Sequence, residues 1–298
     1  MTDGKGFLSG FAERYMDVRG VRVRWFDGGG EDGALLLVHG FGGAASNWTA
    51  VAPALAGRCR VLVPDLPGHG ASTAFPAPPE RLDPYAERLG LLLERATAWP
   101  AVVVGHSLGG VVALRLAVRR PELVRGLVLA GSAGIRSGTR QSERALTFAS
   151  LVQPGKRISR WRNGFAGKAL LRRLAFGVVS VADPRALSPL VANAFLAGSA
   201  LYTDVRSAGD ALVRDDPRVD LGRVRCPALV LHGARDRQVP LRDGFEYARR
   251  LRAPLRVVAD CGHLLIGERP EAVLDAIFGF LHRVGKLEEF PLETELVR

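Results

Sequence analysis

A serine hydroxyl is a useful nucleophile near neutral pH only when a base takes its proton, and the base needs an acid to hold it in place. In this chain of 298 residues, Ser107 is the serine placed for such chemistry. It sits in Gly105-His106-Ser107-Leu108-Gly109, the G-x-S-x-G spacing, with apolar runs over 101–104 before it and 111–117 after it. The short β-branched run predicts a strand. The longer run, ending in Arg119-Arg120, predicts a buried helix with a cationic last turn. A serine at that corner projects from the carboxyl edge of a sheet, and the flanking glycines let neighbouring chain pass close by. A glycine-rich turn that only packs tightly would carry the same five residues, so the reading depends on finding a base and an acid.

Six histidines are available. His263, in Cys261-Gly-His-Leu-Leu265, directly follows the last predicted strand and opens at the same edge as Ser107. His106 adjoins the serine and points into the fold. His39 and His69 lie in turns and His232 ends a strand, which suits structural hydrogen bonding, while His282 reads as a surface residue. For the acid, Asp236, in His232-Gly-Ala-Arg-Asp-Arg-Gln-Val-Pro240, follows a predicted strand by a few residues. Asp260 is nearer in sequence, but three residues is an awkward span for gripping the His263 ring. Two backbone N–H groups suit a developing oxyanion. One is Leu108, directly after the serine; the other is Phe41, in His39-Gly-Phe-Gly-Gly43, a loop that alone also fits a plain tight turn. The histidines are not spaced as metal ligands and no H-E-x-x-H occurs. Asp65-Leu-Pro-Gly-His-Gly-Ala-Ser72 lacks the strand–turn–helix spacing of a nucleotide-binding loop. No metal and no cofactor are expected.

The elements that must position these residues follow from periodicity. Alternation over 13–27 about Arg19-Gly20 predicts an antiparallel hairpin. The continuous apolar run at 34–38 predicts a strand buried on both faces and 126–130 another buried strand. Further strands are expected at 60–64, 102–104, 227–231 and 255–259, and helices from Ser46 to Gly57 and over 83–98, 241–252 and 270–283. The expected fold is therefore α/β, a mostly parallel central sheet with helices on both faces. Residues 134–215 break that rhythm and are irregularly helical. Inserted at the carboxyl edge of the sheet, they read as a cap over the ligand-binding side. The expected division is a core of 1–133 and 216–284, a helical cap of 134–215 and an acidic tail of 285–298.

The composition, 47% hydrophobic and 24% charged, is that of a globular chain with a large core. The three cysteines are unpaired in spacing and read as reduced; with no signal-length or membrane-length apolar run, a cytoplasmic protein is expected. The net charge of +11 comes from 37 arginines and only four lysines, and no nucleic-acid-binding module accompanies it. Most of the excess falls in the cap, where thirteen basic residues face five acidic ones. Ile158, Trp161 and Phe165 recur there at helical spacing among Arg157, Arg160, Arg162, Arg172 and Arg173, with Asn163-Gly164 expected to interrupt the helix. Such a segment suits an anionic membrane surface or an anionic substrate; the plainer reading is a solvated arginine face whose apolar side packs inward.

Four segments together resemble the α/β-hydrolase family, in its form with a helical cap, over residues 13–283. They are HGFGG (39–43), DLPGHGAS (65–72), GHSLGG (105–110), and the pair GARDRQVP (233–240) and CGHLLIGERP (261–270). The resemblance implies a triad in the chain order Ser107, Asp236, His263 and an oxyanion hole at Phe41 and Leu108, and is not specific for substrate. The activity expected is cleavage of carboxylic esters, with a small-molecule ester carrying an apolar acyl group as substrate. Epoxide hydrolases and haloalkane dehalogenases of this fold carry aspartate where Ser107 stands. Carbon–carbon bond hydrolases usually carry asparagine and methionine where His106 and Leu108 stand, which puts that activity, with thioesterase, second. A ligand-binding receptor on the same fold is the alternative outside enzymes.

Overall fold

The computed structural model describes residues 6–30, 33–135, 161–198, 201 and 203–289, without the side chains of residues 162, 165, 178, 179 and 286–289. The expectations for Ile158, Arg157 and Arg160, for the Arg162 and Phe165 side chains, and for the acidic residues of the tail lie outside the described residues. β1 (Ala12–Val18) and β2 (Val21–Gly28) form the hairpin about Arg19-Gly20. β3 (Ala34–Val38), β4 (Arg60–Pro64), β5 (Ala101–His106), β6 (Val124–Ala130), β7 (Ala228–Gly233) and β8 (Leu255–Val258) complete one sheet. Its order is β1-β2-β4-β3-β5-β6-β7-β8, antiparallel at the two β2 pairings and parallel elsewhere.

The helices explain why the strands could be so apolar. In chain order they are α1 (Ala52–Ala56), α2 (Asp83–Arg95) and α3 (Leu108–Arg119), then α4 (Arg162–Gly167), α5 (Ala169–Ser180), α6 (Pro189–Gly198) and α7 (Val205–Arg214) between β6 and β7. The chain closes with α8 (Leu241–Leu251), α9 (Leu265–Glu268) and α10 (Pro270–Glu289). Alternate strand residues feed two cores. Leu36, Val103 and Leu127 meet α2, α3 and α8 on one face, through Leu89, Val112 and Tyr247. Leu35, Val104 and Val128 meet α1 and α10 on the other, through Leu55 and Ile277. β3 and β5 are buried at every residue, as strands covered on both faces must be.

Two expectations need correction. The helix expected from Ser46 to Gly57 is a 3-10 turn (Ala45–Trp48) followed by the short α1, because Pro53 has no N–H to give and can only begin a helix. Asn163-Gly164 does not interrupt α4. A glycine inside a helix costs only about 1 kcal/mol relative to alanine, and Asn193 of α6 donates to the Asn163 side chain at 2.9 Å. The breaks fall at Lys168, in extended backbone, and at Gly177, with φ 56°.

Two features of this topology matter for function. The chain leaves β3 toward β4 on one side and then passes back to β5 on the other, so the loops leaving β3 and β5 diverge at the carboxyl edge, the switch point where sheets of this kind bind ligands. In addition, α3 is buried from Leu108 to Val118, including Arg115. The Arg115 guanidinium donates to the carboxylates of Asp215 and Asp220 and to the Asp216 carbonyl, while Asp215 also accepts the Leu82 N–H at 3.0 Å. This ion-pair network fixes the helix behind Ser107 to the segment where the chain re-enters the sheet.

Candidate active site

Ser107 joins β5 to α3 at φ 54° and ψ −119°, a region that residues with a Cβ rarely occupy. Neighbouring backbone holds it there. Its N–H donates to the Ala130 carbonyl at 3.0 Å, and its carbonyl accepts from Gly110 at 3.0 Å and Ala133 at 3.2 Å. The glycines on either side are required by space. A Cβ at Gly105 would lie 2.3 Å from the Gly109 carbonyl oxygen, and one at Gly109 would lie 2.4 Å from the carbonyls of Val38 and His39.

The loops after β7 and β8 bring Asp236 and His263 to this corner. His263 Nε2 lies 3.0 Å from Ser107 Oγ, and His263 Nδ1 lies 2.8 Å from Asp236 Oδ2. The three side chains are nearly out of solvent, at 8% exposure for Ser107, 9% for Asp236 and 4% for His263. The other Asp236 oxygen accepts the N–H groups of Gln238 at 2.8 Å and Val239 at 2.9 Å. Burial alone would push the Asp236 carboxyl up, but His263 and these hydrogen bonds outweigh it and hold the carboxyl below its ordinary range. An ionised Asp236 only accepts, so His263 Nδ1 carries the proton and Nε2 is left bare toward the hydroxyl. The arrangement can take a proton from Ser107 and hold the resulting imidazolium. Asp260 takes no part; it lies on the surface, 2.7 Å from Arg235.

Leu108 opens α3, so its N–H has no acceptor within the helix. Gly40 packs directly on the serine: a Cβ there would sit 3.0 Å from Ser107 Cβ. Phe41 follows it, with its ring against His69 and Gly209 of α7. Both N–H groups named for the oxyanion thus belong to backbone that borders Ser107. The β4 loop is held by Asp65, which is buried, pairs with Arg24 at 2.6 Å and accepts from Ala45 at 2.7 Å and Ala71 at 2.8 Å. His39 Nε2 accepts the Leu66 N–H at 2.9 Å, joining the β3 and β4 loops.

Glu268 is the residue that sequence reasoning missed. Its buried carboxylate accepts three backbone N–H groups, Gly262 at 2.7 Å, Ala182 at 2.8 Å and Asp183 at 2.8 Å. Leu264 N–H also donates to the Ser180 carbonyl at 3.1 Å, and the Gln238 amide donates to Ser180 Oγ at 2.8 Å. Glu268 therefore ties the residue before His263 to the end of α5. In Glu268→Gln one oxygen can still accept, but the amide NH2 must face a backbone donor. Losing a buried charge-assisted bond of this kind costs about 1.5–3 kcal/mol. The expected result is at least a tenfold fall in kcat for ester hydrolysis with KM changed less than twofold, measured by steady-state kinetics. An equal fall in protein stability with kcat intact would assign Glu268 to folding alone.

His106 donates from Nε2 to the His263 carbonyl at 2.9 Å, a second hold on the same loop. Burial lowers the His106 pKa to about 3, that of His39 to about 4 and that of His69 to about 3. All three stay neutral while the unfolded chain takes protons near pH 6.5. The unfolded state therefore binds more protons between about pH 6.5 and 4, and stability falls as pH drops through that window. The slope is at most about 1.4 kcal/mol per pH unit for each histidine. Urea midpoints at pH 7.5, 6 and 5 should decline in that order; a constant midpoint would show that these imidazoles protonate in place.

A cavity of about 520 Å³ bordered by Gly134, Arg214, Asp216, Arg218 and Glu246 includes none of the three residues Ser107, Asp236 and His263 and has no serine, threonine or cysteine on its rim. Among the described residues no cluster of side chains could hold a metal ion, and no helix is long and apolar enough to cross a membrane.

With this geometry in view, the likeness to known proteins is consistent. The sequence pattern of the alpha/beta hydrolase family matches residues 35–276. The chain is 33% identical over 294 residues to the dihydrolipoyllysine-residue acetyltransferase component of the acetoin cleaving system of Pseudomonas putida, spanning 94% of this chain and 72% of that protein. It is 33% identical over 257 residues to the pimeloyl-(acyl-carrier protein) methyl ester esterase of Aromatoleum aromaticum, spanning 80% and 93%. A crystal structure of a hydrolase from Pseudomonas aeruginosa superposes with a TM-score of 0.71 at 26% identity, covering 90% of this chain and 98% of that one. The chain belongs to the alpha/beta hydrolase family.

Proposed function

We propose that the protein hydrolyses carboxylic esters through an acyl-enzyme on Ser107, with His263 as general base and then general acid, and Asp236 as its orienting carboxylate. The observation that carries this reading is the continuous relay from Asp236 through His263 to a strained, nearly buried Ser107. Attack on the ester carbonyl puts charge on its oxygen, where the N–H groups of Phe41 and Leu108 stabilise it. The imidazolium then protonates the leaving alcohol, and water, activated by the same ring, releases the acid.

Residues 134–215 act in this reading as a cap over the acyl group. Its described part reaches the loops around Ser107 through several hydrogen bonds besides those of Glu268 and Gln238. Ser46 Oγ donates to the Ala194 carbonyl at 2.8 Å, Thr203 and Asp204 donate to Gly68 at 3.0 Å, and Leu264 donates to Ser180. Leu264, next to His263, packs on the cap's apolar cluster of Val181, Leu187 and Val191, which favours an apolar acyl chain. The two curated relatives bear names of acyl chemistry, a methyl ester esterase and an acetyltransferase component, which supports an acyl group as the reacting part.

The test is labelling of the intact chain with a fluorophosphonate, followed by turnover of p-nitrophenyl esters of graded chain length. Rapid labelling at Ser107 with turnover that rises and then falls with acyl length is expected. Labelling without turnover of any ester would leave the binding-only role. Turnover confined to thioesters or to vinylogous diketones would move the reaction to thioester or carbon–carbon cleavage on the same triad.

A further inference from the structure

Residues 144–182 contain eight basic residues and no acidic one. Within that stretch α5 presents an unusual outer face. Leu170 and Leu174 are 70% and 69% exposed, with exposed Arg173 between them at the same helical spacing. The opposite face holds the helix to the protein through Phe176, which packs on Phe195, and through Arg172, which donates to the Ala166 carbonyl at 2.6 Å. Beside α5, Lys168 is exposed at the break between α4 and α5, and Trp161, at the start of α4, is 67% exposed. A helix docked by one face that shows leucines and cations on the other has the pattern of an element lying in a lipid interface.

We propose that this face of α4 and α5 rests on an anionic lipid surface. Leu170, Leu174 and Trp161 enter the boundary between headgroups and acyl chains, and Lys168 and Arg173 meet the lipid phosphates. Charge selects this occupant over the alternatives. A second copy of the chain meeting this face through a two-fold contact would set the same basic, acid-free patch against itself. A zwitterionic surface would satisfy the leucines but give the acid-free stretch no net counter-charge. The surface is separate from the triad and does not depend on which bond the site cleaves.

The experiment is co-sedimentation of the full chain with vesicles of phosphatidylglycerol and phosphatidylcholine in equal parts, against phosphatidylcholine alone. Binding to the mixed vesicles is expected, at least tenfold weaker in 0.5 M salt and at least tenfold weaker on phosphatidylcholine. L170S/L174S and K168E/R173E should each reduce binding at least tenfold, with thermal unfolding and turnover of a soluble neutral ester unchanged. Trp161 offers a direct readout. Trp25 and Trp48 are buried, so in a W99F background the emission should shift to the blue on anionic vesicles only. No binding to the mixed vesicles, or binding that both double variants retain, would overturn the proposal. A concentration-dependent dimer lost in L170S/L174S, without vesicle binding, would overturn it in favour of a second copy.

Discussion

Ser107→Ala is expected to lower kcat for p-nitrophenyl ester hydrolysis by about 10⁶-fold, the order seen when a triad loses its nucleophile. The change removes one oxygen and nothing else from the packing, and the backbone bonds to Ala130, Gly110 and Ala133 do not involve the side chain. The urea midpoint should therefore stay close to that of the intact chain. His263→Ala should lose about as much activity, and the double variant little more, because base and nucleophile act as one unit. The three variants need to be compared in one assay, with folding checked by circular dichroism. Retention of a tenth of the activity by either single variant would remove the nucleophile–base assignment.

Asp236→Asn is expected to cost about 10⁴-fold in kcat. The effect is one of proton position. In the substituted site the amide oxygen is the only acceptor left for the N–H groups of Gln238 and Val239. The NH2 then faces His263 Nδ1, which must become an acceptor, so the ring proton moves to Nε2 and points at the Ser107 hydroxyl. A base in that tautomer cannot take the serine proton. Asp260→Asn should stay within about twofold, because Asp260 is a surface residue that pairs with Arg235, and exposed pairs contribute little. Paired kinetics on the two variants decide the assignment. A large loss in Asp260→Asn with a small one in Asp236→Asn would reverse it.

What could be read in advance follows the range of the interactions involved. The setting of Ser107 is local: five residues, a strand before and a helix after, each with its own pattern. Asp236 and His263 were legible because each follows an apolar strand, and parallel strands deliver their loops to one edge. Glu268 was not legible. Its partners are backbone N–H groups, two of them 85 and 86 residues away, and a backbone donor leaves no mark on residue identity. Arg115 was hidden for a similar reason. It stands in an otherwise apolar helix, and only the return of the chain at Asp215 and Asp220 shows why a buried cation is tolerated there. The misread helix at Ser46 had a local cause, the weight of Pro53 against a polar start.

The hydrogen bonds at the end of α5 set terms for anyone redesigning this protein toward other substrates. Ser180 to Asp183 hold both the Asp236 loop and the His263 loop, through Gln238, Leu264 and Glu268. Substitutions or length changes within those four residues would disturb the alignment of the base whatever they did for fit. In the proposed reading, sequence libraries over the cap that leave 180–183 untouched also leave these ties to the His263 and Asp236 loops in place. Insertions are best placed outside the break at Gly177 and the Ser180–Asp183 tie, so that the added chain is not anchored to the base.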